Sequence, residues 1–164
     1  MEKKKKLIFV CSGNTCRSPL AKVLARDIFA KAGLDDWAVD SAGTAALHGM
    51  SASGHALTAA HTLGLDLSLH QAKPITEMLA QEADLILVMT RAHKDFLLHT
   101  WPALAGKIYT IKEFVGEAGD VADPFGKTAA HYLETAQELQ ALLQQVAKKL
   151  AAGADETTEA EGEA

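Results

Sequence analysis

Two cysteines five positions apart, Cys11 and Cys16, are too few and too close for a disulfide framework. They suit a reducing compartment in which one thiol does chemistry and the other can protect it. Positive charge is also short. Lys and Arg number 16 against 21 Asp and Glu, a net charge of −5, whereas a surface for nucleic acid needs clustered excess cations. Nucleic acid is therefore not an expected partner, and the run Lys3 to Lys6 reads as a solvated charge run. Long apolar stretches are missing too. Leu7 to Val10 is too short for the hydrophobic region of a signal peptide, and nothing approaches the roughly 18 residues that cross a bilayer. A cytoplasmic chain without membrane attachment is expected. The seven histidines include no i, i+4 pair joined to a carboxylate, so no metal is expected. Without a Walker loop, a Ser-His-Asp order or a dinucleotide fingerprint, no cofactor is expected either.

At 164 residues the chain is long enough for one domain with a real core. Leu7 to Val10 and Asp84 to Met89 are continuous apolar runs, as strands buried on both faces require. Trp37 to Ser41 and Lys107 to Thr110 read as further strands. Between them the apolar spacing predicts helices over Pro19 to Ala32, Ser53 to Leu63, Thr76 to Glu82 and Arg91 to Leu98, and a last one over Thr128 to Leu150. The last carries Tyr132, Ala136, Leu139, Leu143, Val146 and Leu150 on one seam, which fits packing on a sheet better than a coiled coil. The expected fold is α/β: a single three-layer domain over residues 1–150, with a four-stranded parallel doubly wound sheet and helices on both faces. Its site should lie at the C-terminal ends of the strands. Residues 151–164, acidic and without an apolar face, are expected to be a disordered tail.

The residues with chemistry concentrate in Val10-Cys11-Ser12-Gly13-Asn14-Thr15-Cys16-Arg17-Ser18-Pro19. An apolar strand, a tight loop and a helix start turn backbone N–H groups inward, where they and the helix dipole can hold a dianion without a metal. Arg17 can bind two phosphoryl oxygens with its planar fork. In that field Cys11 would be a thiolate nucleophile. A Cys-x5-Arg spacing alone is a weak signal; Gly13 and Asn14, which tolerate positive φ, Ser18 as N-cap and Pro19 at the first helical position strengthen it. Ser18 can also donate a hydrogen bond to the thiolate. Cys16 has two readings, a reversible disulfide with Cys11 or a small apolar residue behind the loop. Asp123-Pro124, flanked by Gly116, Gly119 and Gly126, has two as well: a carboxyl brought over the cradle to protonate a leaving group, or a turn aspartate.

The Cys11-to-Pro19 loop with Asp123-Pro124, together with Ser41-Ala42-Gly43, Ala83 to Thr90, Lys112 to Val115 and Gly119 to Gly126, resembles the low-molecular-weight protein-tyrosine-phosphatase family over about residues 6 to 150. Thr15 with Asp123-Pro124-Phe125-Gly126 is similar to its bacterial protein-arginine-phosphatase branch. The resemblance implies a metal-independent phosphatase acting through a phosphocysteine, with Asp123 as acid and then base. It implies that Ser12, Gly13, Asn14, Thr15, Cys16, Ser18 and Phe125 meet the substrate, and that Ser41 and His70 support Asn14 from behind. Its partners would be phosphorylated proteins, shared with an opposing protein-arginine kinase. Thr15 would line the pocket wall where tyrosine-specific relatives carry a large aliphatic residue; its hydroxyl can face a guanidinium N–H, or else merely satisfy the loop. A tyrosine phosphatase of the same fold is the nearest alternative, and a non-catalytic phosphate-binding or thiol redox module the remote one. Two positions depart from the family, Lys22 where Glu is usual and Lys127 in place of a second glycine. Both are expected to change rim charge and to leave the core chemistry alone.

Overall fold

The computed structural model describes the backbone of residues 3–162 and the side chains of residues 3–153. Its centre is a four-stranded parallel sheet in the order β2-β1-β3-β4, with β1 at Lys5–Cys11, β2 at Trp37–Gly43, β3 at Leu85–Val88 and β4 at Ile108–Thr110. The alternation of side chains along β1 explains the layers. Leu7, Phe9 and Cys11 face one helical layer, built from α1 (Arg17–Lys31), α2 (Gly54–Thr62), α5 (Ile111–Phe114) and α6 (Ala129–Gly162). Ile8 and Val10 face the other, which holds α3 (Glu77–Glu82) and α4 (Arg91–Thr100). Both faces are therefore apolar, which is why β1 and β3 read as unbroken hydrophobic runs. On α6 the expected seam packs inward: Tyr132, Ala136, Leu139, Leu143 and Val146 are buried.

The chain leaves β1 for β2 on one side and later passes to β3 on the other. This places the loop after β1 at the reversal of strand order, the crevice where doubly wound sheets hold ligands. Helix starts are set by side-chain caps at Ser53, Thr76, Thr90 and Thr110, the last a full capping box with Glu113. Two elements lie outside the apolar spacing, α5 and a 3-10 turn at Pro102–Lys107. Two expected boundaries move. Helix α1 begins at Arg17 behind Cys16, and Ser18 is no cap, because its hydroxyl is turned into the loop. Helix α6 does not end at Leu150; its backbone stays helical to Gly162, in keeping with the Ala and Glu that dominate those residues. The side chains of the expected tail beyond Gly153, and residues 163–164 altogether, lie outside the described residues. No helix among the described residues is long and apolar enough to cross a membrane.

Candidate active site

The loop from Cys11 to Arg17 is shaped by what its carbonyls do. The carbonyls of Cys11, Ser12, Thr15 and Cys16 accept from the amides of Thr44, Ala45, Ser53 and Leu20 at 2.9, 2.9, 2.9 and 3.0 Å. The carbonyl of Asn14 lies 2.7 Å from Nε2 of His70. The carbonyls of Cys11, Ser12, Asn14 and Thr15 are drawn outward into the surrounding structure, and that of Cys16 runs along α1. Among the described residues no peptide bond is cis, so each following N–H points the opposite way. The amides of Ser12, Gly13, Thr15, Cys16 and Arg17 thus face the concave side, at the N-terminus of α1, an arrangement that holds an anion.

Asn14 is the pivot. It is fully buried at φ 55, a left-handed conformation that Asn tolerates and most residues do not. Its Nδ2 donates to Ser18 at 2.8 Å and to Ser41 at 3.0 Å, and its Oδ1 accepts from the amide of Lys73 at 3.0 Å. Ser18 Oγ in turn lies 2.9 Å from Cys11 Sγ. Gly43 closes the back of the loop; a Cβ there would stand 2.4 Å from the Ser12 carbonyl oxygen and 2.9 Å from Ala46 Cβ. Only a glycine lets β2 run that close.

Over the cradle, Arg17 is 5% exposed and donates through Nη1 to the Val121 carbonyl at 3.0 Å. Its Nη2 is 3.5 Å from Asp123 Oδ2. The amide of Val121 donates to Met89 at the end of β3 at 2.9 Å, which hangs the Asp123 segment from the sheet. Asp123 stays half-exposed, its Oδ1 accepting from the Phe125 amide at 3.1 Å across Pro124. Asp120, three residues before Asp123, caps the amide of Arg91 at 2.8 Å.

One cavity of about 330 Å3 brings together Cys11, Gly13, Thr15, Cys16, Arg17, Asp123 and Phe125. Asn14, Ser18, Ser41 and His70 stand behind its floor, and Ser12 turns aside to His93. Burial first, then the charges of Cys11 and Asp123, push the Cys16 thiol up to about 12, so Cys16 stays protonated; Arg17 opposes this. Both thiols are free and buried.

Several residues at the site escape the sequence analysis. Met50, Ser51, Ser53 and Tyr132 complete the cavity wall, and they come from a loop and a helix with no local motif. Burial, with the Cys16 charge, raises the Tyr132 phenol above its ordinary range. His93 is 6% exposed, with Nε2 at 2.8 Å from Ser12 Oγ and Nδ1 at 3.0 Å from Thr90 Oγ1. Burial, then the Arg17 charge, lowers its pKa to about 4 against the pull of Asp120 and Asp123, which keeps it neutral. Its signal was the cap Thr90 three residues before it. Lys22 does not stand on the rim; its Nζ lies 2.8 Å from His70 Nδ1, behind the loop. Among the described residues, no three His, Cys, Asp or Glu converge as metal ligands.

Comparison with known proteins agrees with this geometry. The sequence pattern of the family described as low molecular weight phosphotyrosine protein phosphatase matches residues 6–156. A protein-arginine-phosphatase of Bacillus subtilis (strain 168) is 43% identical over 145 residues, 88% of this chain and 95% of the relative. The low molecular weight protein-tyrosine-phosphatase PtpB of Staphylococcus epidermidis is 35% identical over 142 residues, 86% and 96% of the two chains. A solved structure of a YwlE arginine phosphatase mutant with a phosphorylated active-site serine superposes with a TM-score of 0.86 at 41% identity, covering 89% of this chain and 95% of that one.

Proposed function

The chain belongs to the low molecular weight phosphotyrosine protein phosphatase family, and from that premise we propose that it hydrolyses phosphoarginine in proteins through a phosphocysteine. Cys11, as thiolate, attacks phosphorus while the loop amides and Arg17 hold the three other oxygens. The P–N bond breaks, its electron pair goes to the guanidine nitrogen, and Asp123 delivers the proton that nitrogen takes. Asp123, now a carboxylate, draws a proton from water as its oxygen attacks phosphorus. The S–P bond breaks, phosphate leaves and the thiolate returns.

The observation that carries this reading is the shared cavity of Cys11, Thr15, Arg17 and Asp123. An acid 3.5 Å from the phosphoryl clamp has a use in a hydrolase and none in a redox or phosphate-sensing module. Thr15 supports arginine over tyrosine, since its hydroxyl can accept from a guanidinium N–H where a phenyl ring would seek apolar contact. The arginine-specific relative is also the more similar of the two compared, at 43% against 35% identity. The tyrosine-specific relative keeps the second reading, hydrolysis of phosphotyrosine on the same machinery. We place the substrates among cytoplasmic phosphoproteins shared with a protein-arginine kinase, away from nucleic acid and membrane. Residues 1–150 serve as the catalytic domain and 151–164 as an appended acidic tail.

The test is kcat/KM on a phosphoarginine peptide beside a matched phosphotyrosine peptide, with Cys11→Ser as the blank. Phosphoarginine should be the better substrate, and Thr15→Ile should reverse the order. A wild-type preference for phosphotyrosine refutes the specificity; full activity in Cys11→Ser refutes the mechanism.

A further inference from the structure

Behind the loop, two runs of hydrogen bonds meet at Asn14, one from a cation to its main-chain carbonyl and one from its side-chain amide to the nucleophile. Lys22 Nζ is 2.8 Å from His70 Nδ1, His70 Nε2 is 2.7 Å from the Asn14 carbonyl, Asn14 Nδ2 is 2.8 Å from Ser18 Oγ, and Ser18 Oγ is 2.9 Å from Cys11 Sγ. The directions at His70 and Asn14 are determined. An ammonium and an amide nitrogen only donate, and a carbonyl only accepts. The carbonyl of Asn14 therefore requires a proton on His70 Nε2, and Lys22 requires a bare Nδ1. Ser18, accepting from Asn14, has one proton and two acceptors for it, the Ala42 carbonyl at 3.3 Å and Cys11 Sγ at 2.9 Å; once the sulfur is a thiolate, the nearer and charged acceptor takes it.

We propose that Lys22 is a positioning residue, whose ammonium fixes His70 as the neutral Nε2–H tautomer and so orients this donor chain onto the Cys11 thiolate. The proposal rests on the phosphatase reading only for its kinetic consequence. A second imidazole proton would have to sit on Nδ1, against Lys22. An amine begins about four pKa units above an imidazole, so Lys22 keeps its proton and His70 stays bare. The charged groups facing His70 agree. Lys22 comes from α1 and Lys73 from the segment beside β2, while Asp40 of β2 is already paired with Lys73. Burial, then the charges of Lys22 and Lys73, lower the His70 pKa below its ordinary value against the Asn14 hydrogen bond and Asp40. Burial and Arg26 lower that of Lys22 in turn. Donors aligned head to tail polarise one another, so a permanent cation behind His70 strengthens its bond to the Asn14 carbonyl at every working pH, and with it the hold on the residue whose side chain aims Ser18 at sulfur.

The experiment is nitrogen-15 NMR of the imidazoles in the full chain, with pH profiles of kcat, for wild type, Lys22→Met and Lys22→Arg. In wild type His70 should show a protonated Nε2 and a bare Nδ1 from neutral pH down into the acid range. In Lys22→Met, Nδ1 loses its donor and accepts a proton, so His70 should titrate at higher pH. The permanent cation is then replaced by one present only in acid. The kcat of Lys22→Met should fall about tenfold as pH rises through that titration, a step absent from wild type and reduced in Lys22→Arg. A residue that only filled space would lower kcat equally at all pH. The proposal is overturned by a doubly protonated His70 in wild type at neutral pH, or by a Lys22→Met profile parallel to wild type. If Lys22→Met does not fold, the wild-type spectrum alone decides. If no phosphoester or phosphoamide is turned over at all, the functional reading fails while the NMR result still decides the tautomer.

Discussion

His93 ties the start of α4 to the phosphate loop, and burial beside the Arg17 charge favours its neutral ring. Its pKa near 4 lies below the ordinary value of 6.5, so the folded protein binds fewer protons here than the unfolded chain does. Stability from this group is therefore present above about pH 6.5 and is lost as pH falls toward 4. With one pKa unit equivalent to about 1.4 kcal/mol, the loss is about 2 kcal/mol between pH 7 and pH 5 and about 3 kcal/mol by pH 4. In a domain of this size the first of these lowers Tm by roughly 4 to 8 °C. Other groups titrate in the same range, so the assay is a difference: urea unfolding of wild type and His93→Gln at pH 7, 6, 5 and 4.5. Gln can still donate to Ser12 Oγ but cannot gain a proton. It should cost about 1 kcal/mol at pH 7, from the lost bond to Thr90, and the gap should close or reverse by pH 5. A gap that is constant over this range would refute the claim that His93 is held neutral by its surroundings.

Asp123→Asn should lower kcat on phosphoarginine roughly 100-fold or more, because the departing guanidine is strongly basic and needs the proton; steady-state assays against an aryl phosphate with an acidic leaving group should show a smaller loss in the first step. Gly43→Ala places a methyl group 2.4 Å from the Ser12 carbonyl oxygen. It should cost about 1 to 3 kcal/mol in denaturant unfolding and should weaken inorganic phosphate binding by calorimetry more than a remote change of equal stability cost does. Removing residues 154–164, which follow Ala151 where α6 still packs on the core, should leave Tm within about 1 °C and kcat/KM unchanged.

The parts of the molecule legible in sequence are those where every local signal agrees. Leu7 to Val10, Asn14 and Arg17 suit a strand, a left-handed loop position and an anion-holding helix start, and the structure assembles them so, whereas Gly13, expected to share the left-handed conformation, has no positive φ. Thr76, the cap of α3, is equally local. Ser18 misled because Ser-Pro resembles a cap and first turn; its hydroxyl is needed elsewhere, by Asn14 and Cys11. Short α5 was within reach, since Thr110 and Glu113 spell a capping box. What no local pattern carries is pairing across the fold. Lys22 stands out in sequence as a departure, yet its partner is 48 positions away. Ser12 meets a histidine 81 positions on. Tyr132 reads as one more apolar residue of a seam until α6 is laid beside the cavity.

The central claim is that phosphoarginine is cleaved at Cys11. Rapid mixing of the enzyme with a phosphoarginine peptide, quenching in denaturant within the first turnover and mass analysis of the digested chain test it directly. The account predicts a phosphoryl group on the peptide that contains Cys11, accumulating as arginine peptide is released and absent from Cys11→Ser. Release of arginine peptide with no phosphoryl group on Cys11 at any time point would contradict it.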